Sequence, residues 1–401
     1  MNILMITSSF PRFEGDFFGP WVLEYCRELI SQGATVTIVA PQSEGHNSIS
    51  CEDDRLKLVY FQYIARANSQ KLVSPPGMIP NLKSKPLLLA HIPPLLLSYY
   101  KEVGKVLAEN SFDVVHCQWA IPSGFIGSLL SKKYDLPLVV STLGAELYLP
   151  RFHPFSFFTR FVLKRCQMLI AVSEQMRERA WQYGIMKEKV RVLPNTVNPS
   201  RFILQSDLGF KSKFNIPQGH KVILSIRRLV KEKRVDDLLD AFCAVEGDVT
   251  LVVGGDGPLR KSLELKASDL GISDRVHFLG YLSSSDLPYY YANSDIYVLS
   301  SQQEGLSISL LESMAAGLVA VSTGSTGGGD LIRDGENGFL YPVGDQRGLV
   351  KILNEVLKMS KEETAAIGKR AQETIAGGFS NKYVIGEWLK IYQSLLPNKE
   401  I

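Results

Sequence analysis

Two glutamates, Glu304 and Glu312, close the stretch EGLSISLLE with seven residues between them. A helix over 306–316 would put Leu306, Leu310, Leu311 and Met314 on one apolar face and start near Glu304. At about 1.5 Å per residue the two acids then lie about 12 Å apart, the reach from a sugar across a diphosphate to a ribose. Backbone N–H groups of Gly305, Leu306 and Ser307 would point at an anion, and Gly305 would let it come close. Carboxylates accept hydrogen bonds from sugar hydroxyls while the N–H groups hold phosphate. In the alternative reading Glu304 is a helix-start acid favoured by the dipole and Glu312 a solvated surface residue.

The elements that must position these acids come in two series. NILMIT, the helical PWVLEYCRELISQG and ATVTIVAP form a strand, helix, strand unit, and DVVHCQ, PLVVST, MLIAVS and VRVLPN extend it to about residue 195. KVILSI, DVTLVVGG, RVHFLG, DIYVLSS and LVAVST begin the architecture again. Such continuous apolar runs fit strands buried on both faces of a parallel sheet. PNTVNPSRF has the proline and turn-former content of a crossing, which places the hinge over residues 194–215. NKYVIGEWLKIYQSLL reads as a separate last helix. The fold class is therefore α/β with two doubly wound domains. Ligands of such sheets bind at the carboxyl ends of strands and the amino ends of helices, which predicts a site in a cleft between the domains and a phosphate-bearing ligand.

The chain has 401 residues, enough for two domains of about 200 each. With 44 basic and 41 acidic residues the net charge of +3 points to no nucleic-acid partner. Five scattered cysteines form no C-x-x-C pair and no zinc spacing, so a reducing compartment and no structural metal are expected. No signal peptide is read at the amino terminus. PLLLAHIPPLLLSYY, at 86–100, is broken by His91, Pro93 and Pro94 and is shorter than the roughly 20 residues of a spanning helix. A cytoplasmic location follows as the expectation. The six histidines form no spaced cluster and read as structural or solvated.

The E-x7-E pair followed by SMAAG, with ILSIRRLVKEKRVDDLLDAF, VVGGDGPLRKSLE and GGGDLIRDGENGFLYPVGD in this order, resembles the retaining glycosyltransferases of family 4, which have the GT-B fold of two Rossmann-like domains. The resemblance covers almost the whole chain. It implies an acceptor-side domain over 1–198, a nucleotide-sugar domain over 199–380, and a helix over 381–401 packing back toward the first domain. Arg228 and Lys233 become the diphosphate clamp, Glu312 the partner of the donor ribose, and Glu304 the group that binds sugar hydroxyls and offsets positive charge at the anomeric centre. Gly305, Leu306 and Ser307 line the donor site. A UDP- or GDP-linked hexose passes with retention, by front-face displacement, to a glycan, lipid-linked or small hydroxyl acceptor in cell-envelope or exopolysaccharide synthesis. No cofactor is implied, and with no D-x-D after a strand the two cations replace a metal ion, so metal independence is expected.

The pattern departs in VVSTLGAELY, where Leu143 stands at the family's usual histidine, followed by Gly144 and Glu146. Glu146 either takes over a polar contact to the donor or is a structural acid. In EGDFFGPWV the family's adjacent glycines are split, and Gly15, Asp16 and Gly19 are carried over as donor contacts. NTVN at 195–198 replaces the usual Asn-Gly-Val-Asp. On the acceptor side, 151–165 combines five phenylalanines with Arg151, His153, Arg160, Lys164 and Arg165. It reads either as a peripheral contact with an anionic inner-membrane face or as a core-packed helix with a basic outer side, and 86–100 is a second segment open to the same two readings. Alternative functions are a sugar-phosphate or disaccharide synthase with a small soluble acceptor, and a noncatalytic nucleotide-sugar-binding partner subunit. A Rossmann dehydrogenase is disfavoured because VVGGDGPL is not G-x-G-x-x-G.

Overall fold

The structure is a computed structural model that describes residues 1–13, 16, 18–44, 49, 53–66, 69–75, 77–142, 145–147, 154–203, 207, 209–302, 306–324 and 327–396. It divides into two compact units, Met1–Leu193 with Ile385–Ile401, and Pro194–Val384.

The first unit holds a seven-stranded sheet of β1 (Asn2–Thr7), β2 (Thr35–Pro41), β3 (Leu56–Phe61), β4 (Val114–Gln118), β5 (Leu138–Thr142), β6 (Met168–Ala171) and β7 (Val190–Val192), in the order β3-β2-β1-β4-β5-β6-β7. Every pairing is parallel, with Ile3 opposite Val36 on one side and Val114 on the other. Parallel pairing requires crossovers, and the helices Pro20–Ser31, Ile92–Glu109 and Phe125–Lys133 supply several of them. All residues of β4, β5 and β6 are buried, as a sheet covered on both faces demands.

The second unit repeats the plan with β8 (Lys221–Ile226), β9 (Val249–Gly254), β10 (Val276–Gly280), β11 (Ile296–Leu299), β12 (Val319–Thr323) and β13 (Phe339–Tyr341), in the parallel order β10-β9-β8-β11-β12-β13. One core cluster lies around Leu238, Leu251 and Leu353, and another gathers Leu224, Tyr291, Leu310 and Met314.

The division falls after Leu193, not after residue 198, and described residues of the 194–215 crossing are tied into the second unit. Val197 N donates to Phe379 O at 3.1 Å and its carbonyl accepts from Asn381 N at 3.0 Å, while Phe202 and Phe210 enter the core of the second unit. The last helix is Asn381–Leu395; its residues up to Val384 belong to the second unit and those from Ile385 to the first, and 397–401 of the expected span lie outside the described residues.

Candidate functional site

At the carboxyl end of β8 the chain continues its pairing, with Arg227 N donating to Gly254 O at 2.9 Å. Strand alternation then sends two adjacent arginines in opposite directions. Arg227 turns inward and is 8% exposed; its guanidinium donates to Ser300 Oγ at 3.2 Å and to the Val298 carbonyl on β11. Arg228 is exposed and carries no ion pair or side-chain hydrogen bond among the described residues. Ser300 Oγ in turn donates to Lys233 O at 3.0 Å, which fixes the 3-10 turn Lys231–Lys233 against the end of β11. The Gln302 N to Glu232 O bond, 2.9 Å, closes the same junction.

The VVGGDG loop after β9 is shaped by this strand end. Gly255 has φ +120, and a Cβ there would lie 1.8 Å from Arg227 O, so only glycine fits. Leu229 N donates to Asp256 O at 2.9 Å and Leu259 N to Leu229 O at 3.1 Å. Arg228 therefore stands on a backbone clamped from two sides.

The E-x7-E helix spans Ile308–Ala315. It starts later than the sequence predicted, because Ser307 is its N-cap: Ser307 Oγ accepts from Leu310 N at 3.4 Å. The free helix-terminal donors therefore begin at Ser307 and run through Ile308 and the next residues, with Leu306 lying before the cap. Leu306, Leu310, Leu311 and Met314 are buried together as expected. Asn195 Nδ2 donates to Leu306 O at 2.7 Å, and the Tyr297 hydroxyl lies 2.6 Å from Ser309 Oγ and 3.2 Å from Ile226 O, which ties the helix start to the end of β8.

Glu312 is not a solvated surface acid. It is 7% exposed, and its Oε2 accepts from Tyr291 OH at 3.0 Å. Burial pushes the Tyr291 phenol well above its usual range, and the neighbouring Glu312 adds to that, so the tyrosine stays a neutral donor. Glu304 and Gly305 lie outside the described residues, as do Gly15, Leu143 and Gly144.

In the first unit Asp16 is fully enclosed and bonded to Arg12, with Arg12 Nε at 2.7 Å, Nη2 at 2.9 Å and the backbone N at 2.9 Å. This carboxylate holds the loop after β1 in shape, and both of its oxygens are in use. Gly19 has φ +77, and a Cβ would meet Ser9 O at 2.5 Å, so glycine is required where the chain turns into the helix Pro20–Ser31. Glu146 is buried and accepts from Ala120 N at 3.4 Å, which makes it part of the loop packing after β4 and β5. Among the described residues no group of three or more His, Cys, Asp or Glu is placed to hold a metal ion.

Arg227 was missed by sequence reasoning, which singled out only the second arginine of the pair. The available signal was position: a residue one step past a fully buried strand keeps the strand's alternation.

Two family profiles match the chain, Glycosyltransferase Family 4 over residues 20–201 and Glycosyl transferases group 1 over residues 209–374. The N-acetyl-alpha-D-glucosaminyl L-malate synthase of Bacillus anthracis is 25% identical over 309 residues, covering 76% of this chain and 80% of its own. The lipopolysaccharide core biosynthesis glycosyltransferase LpsE of Rhizobium meliloti is 31% identical over 223 residues, 56% of this chain and 62% of that protein. Among solved structures, sucrose-phosphate synthase from Thermosynechococcus elongatus superposes with a TM-score of 0.81 at 16% identity, covering 98% of this chain and 99% of that one. Anabaena Alr3699/HepE in complex with UDP and glucose gives 0.75 at 19%, covering 98% and 100%. Both likenesses are of fold. With two parallel sheets, a strand-end arginine pair and profiles matching both halves, the chain belongs to the group 1, family 4 glycosyltransferases of GT-B fold and is an enzyme of that class.

Proposed function

We propose that this enzyme transfers a hexose from a UDP- or GDP-linked donor, with retention, to a glycan or lipid-linked acceptor in cell-envelope or exopolysaccharide synthesis. The observation that carries the reading is Arg228: an exposed guanidinium with no ion pair or side-chain hydrogen bond among the described residues, on a backbone clamped by the glycine loop, followed by the Lys231–Lys233 turn that Ser300 holds. A cation carried on a backbone already held in this way suits an anionic ligand, because only its side chain has to settle when the ligand arrives.

Arg228 and Lys233 hold the diphosphate and offset the charge that grows on it as the anomeric C–O bond breaks. The acceptor oxygen bonds to the anomeric carbon on the same face, and its proton passes to the departing phosphate oxygen. Glu304 offsets positive charge at the anomeric carbon. Glu312, held by Tyr291, accepts hydrogen bonds from the ribose hydroxyls. Asp16, Gly19 and Glu146 serve this reading through the shape of their loops, while Leu306 and Ser307 anchor and cap the helix that carries Glu312. The reaction runs without a metal ion, and loss of turnover in EDTA restored by manganese would contradict this.

The test is a thermal-shift screen across UDP, GDP and ADP sugars, followed by turnover. A donor that stabilises the wild type by mass action and no longer stabilises Arg228→Ala supports the reading. Equal stabilisation of both proteins removes it. A small soluble acceptor is the second reading, favoured by the similarity to a relative named N-acetyl-alpha-D-glucosaminyl L-malate synthase; product analysis with lipid-linked and small hydroxyl acceptors separates the two.

A further inference from the structure

Between Asp54 and Glu102 the sequence contains no acidic residue, although acids and bases are nearly balanced over the whole chain; the same 47 residues contain seven lysines and arginines. This acid-free stretch includes the helix Met78–Ser84, the 3-10 turn Pro86–His91 and the start of the helix Ile92–Glu109. With three residues per turn, a 3-10 segment can bury only one of three consecutive leucines. Leu88 is that one, packed in the core with Leu95 and Tyr99. Leu87 on one side of it is 90% exposed and Leu89 on the other 54%, and Leu97 on the next helix is 55% exposed. Lys83 and Lys85, immediately before the leucines, are also exposed and form no ion pair among the described residues.

Exposed leucines, next to exposed lysines without an ion pair among the described residues in an acid-free stretch, match the two attractions of an anionic bilayer: acyl chains for the leucines, headgroups for the lysines. Protein interfaces instead enrich aromatic residues and arginine and deplete lysine. No described helix is long and apolar enough to cross a membrane, so the contact lies on the surface. The helix Pro154–Arg165 is a poorer candidate. Val162 and Leu163 are buried, Phe158 and Phe161 pack on Phe125, and among its described side chains only Phe157 is a largely exposed phenylalanine.

We propose that the segment from Lys83 to Leu97 is a docking surface for a bilayer with anionic headgroups, with Leu87 and Leu89 inserting and Lys83 and Lys85 engaging the headgroups. This deepens the reading of a lipid-linked acceptor by naming the surface that reaches it.

The test is co-sedimentation of the full chain, without donor, with vesicles of phosphatidylcholine alone or with three tenths phosphatidylglycerol. The wild type is expected to pellet with the anionic vesicles only. K83Q/K85Q should weaken binding by about thirtyfold, from about 1 kcal/mol for each lysine charge removed, and L87S/L89S by about tenfold or more. Both pairs are exposed, and unchanged melting temperatures would confirm folding. Absence of binding to either vesicle, binding unaffected by both variants, or binding lost only in Phe157→Ser would each overturn the proposal. Because no donor is present, failure here is distinct from failure of the donor assignment, which the Arg228→Ala thermal shift reads.

Discussion

The adjacent arginines 227 and 228 have the same chemistry and opposite surroundings, and their substitutions should separate accordingly. Arg228→Ala removes an exposed side chain, so stability should change by less than about 0.5 kcal/mol. Its turnover should fall by about 10² to 10³, the loss seen when one pre-placed donor to developing charge is removed. Arg227→Met leaves Ser300 Oγ and the Val298 carbonyl without their buried donor and should cost about 1–3 kcal/mol in urea denaturation, with turnover falling as the Lys233 turn loosens. Tyr291→Phe deletes the hydroxyl that holds Glu312. We expect the donor KM to rise more than kcat falls, since Glu312 is assigned to the ribose and not to the reacting carbon.

At the scale of elements, the site depends on a glycine loop seated against a strand end. Gly255→Ala would drive a Cβ into Arg227 O at 1.8 Å in a left-handed conformation, and should destabilise the protein by about 2 kcal/mol or more while also lowering turnover. A control at Gly219, where an added Cβ meets nothing within 4 Å, should be close to neutral. The strands themselves were legible to differing degrees. All eleven apolar runs identified in the sequence became strands, but β3 and β13 were not anticipated. Both are edge strands, with largely half-buried patterns, so they lack the unbroken apolar run that marks a strand covered on both faces. The helix start was misplaced by a few residues because Ser307, not Glu304, supplies the cap, and either residue type is compatible with a helix N-terminus.

At the scale of the whole molecule, the first unit is completed by residues from the far end of the chain. His116 on β4 is fully buried, with Nδ1 2.6 Å from Tyr392 OH and Nε2 2.8 Å from Ser141 Oγ, and its ring lies 4.6 Å from that of Trp388. Burial pushes its pKa down from 6.5 to about 3. Because the unfolded chain takes up the proton first, this residue's contribution to stability is complete above about pH 6.5. It is lost as pH falls towards 3, at up to about 1.4 kcal/mol per pH unit. Urea midpoints measured from pH 7 to pH 4 should fall, and the slope should flatten in His116→Gln. Deleting residues 385–401 removes Ile385, Trp388 and Tyr392 from the core of the first unit, and should lower its melting temperature and expose its amides to hydrogen exchange.

The sequence alone determined the two parallel α/β units, the final helix and the family, because apolar runs and a set of motifs in order are local properties of a chain. It also pointed to Arg228, Lys233 and the pair Glu304 and Glu312 as the residues to examine. Only the tertiary structure decided which arginine of the pair is buried, that Glu312 sits under Tyr291, that Asp16 is held by Arg12, and that Leu87 and Leu89 face outward around a buried Leu88. Burial and partnership depend on residues distant in sequence, so the same side chain can be a core group or an open one while its local sequence stays unchanged.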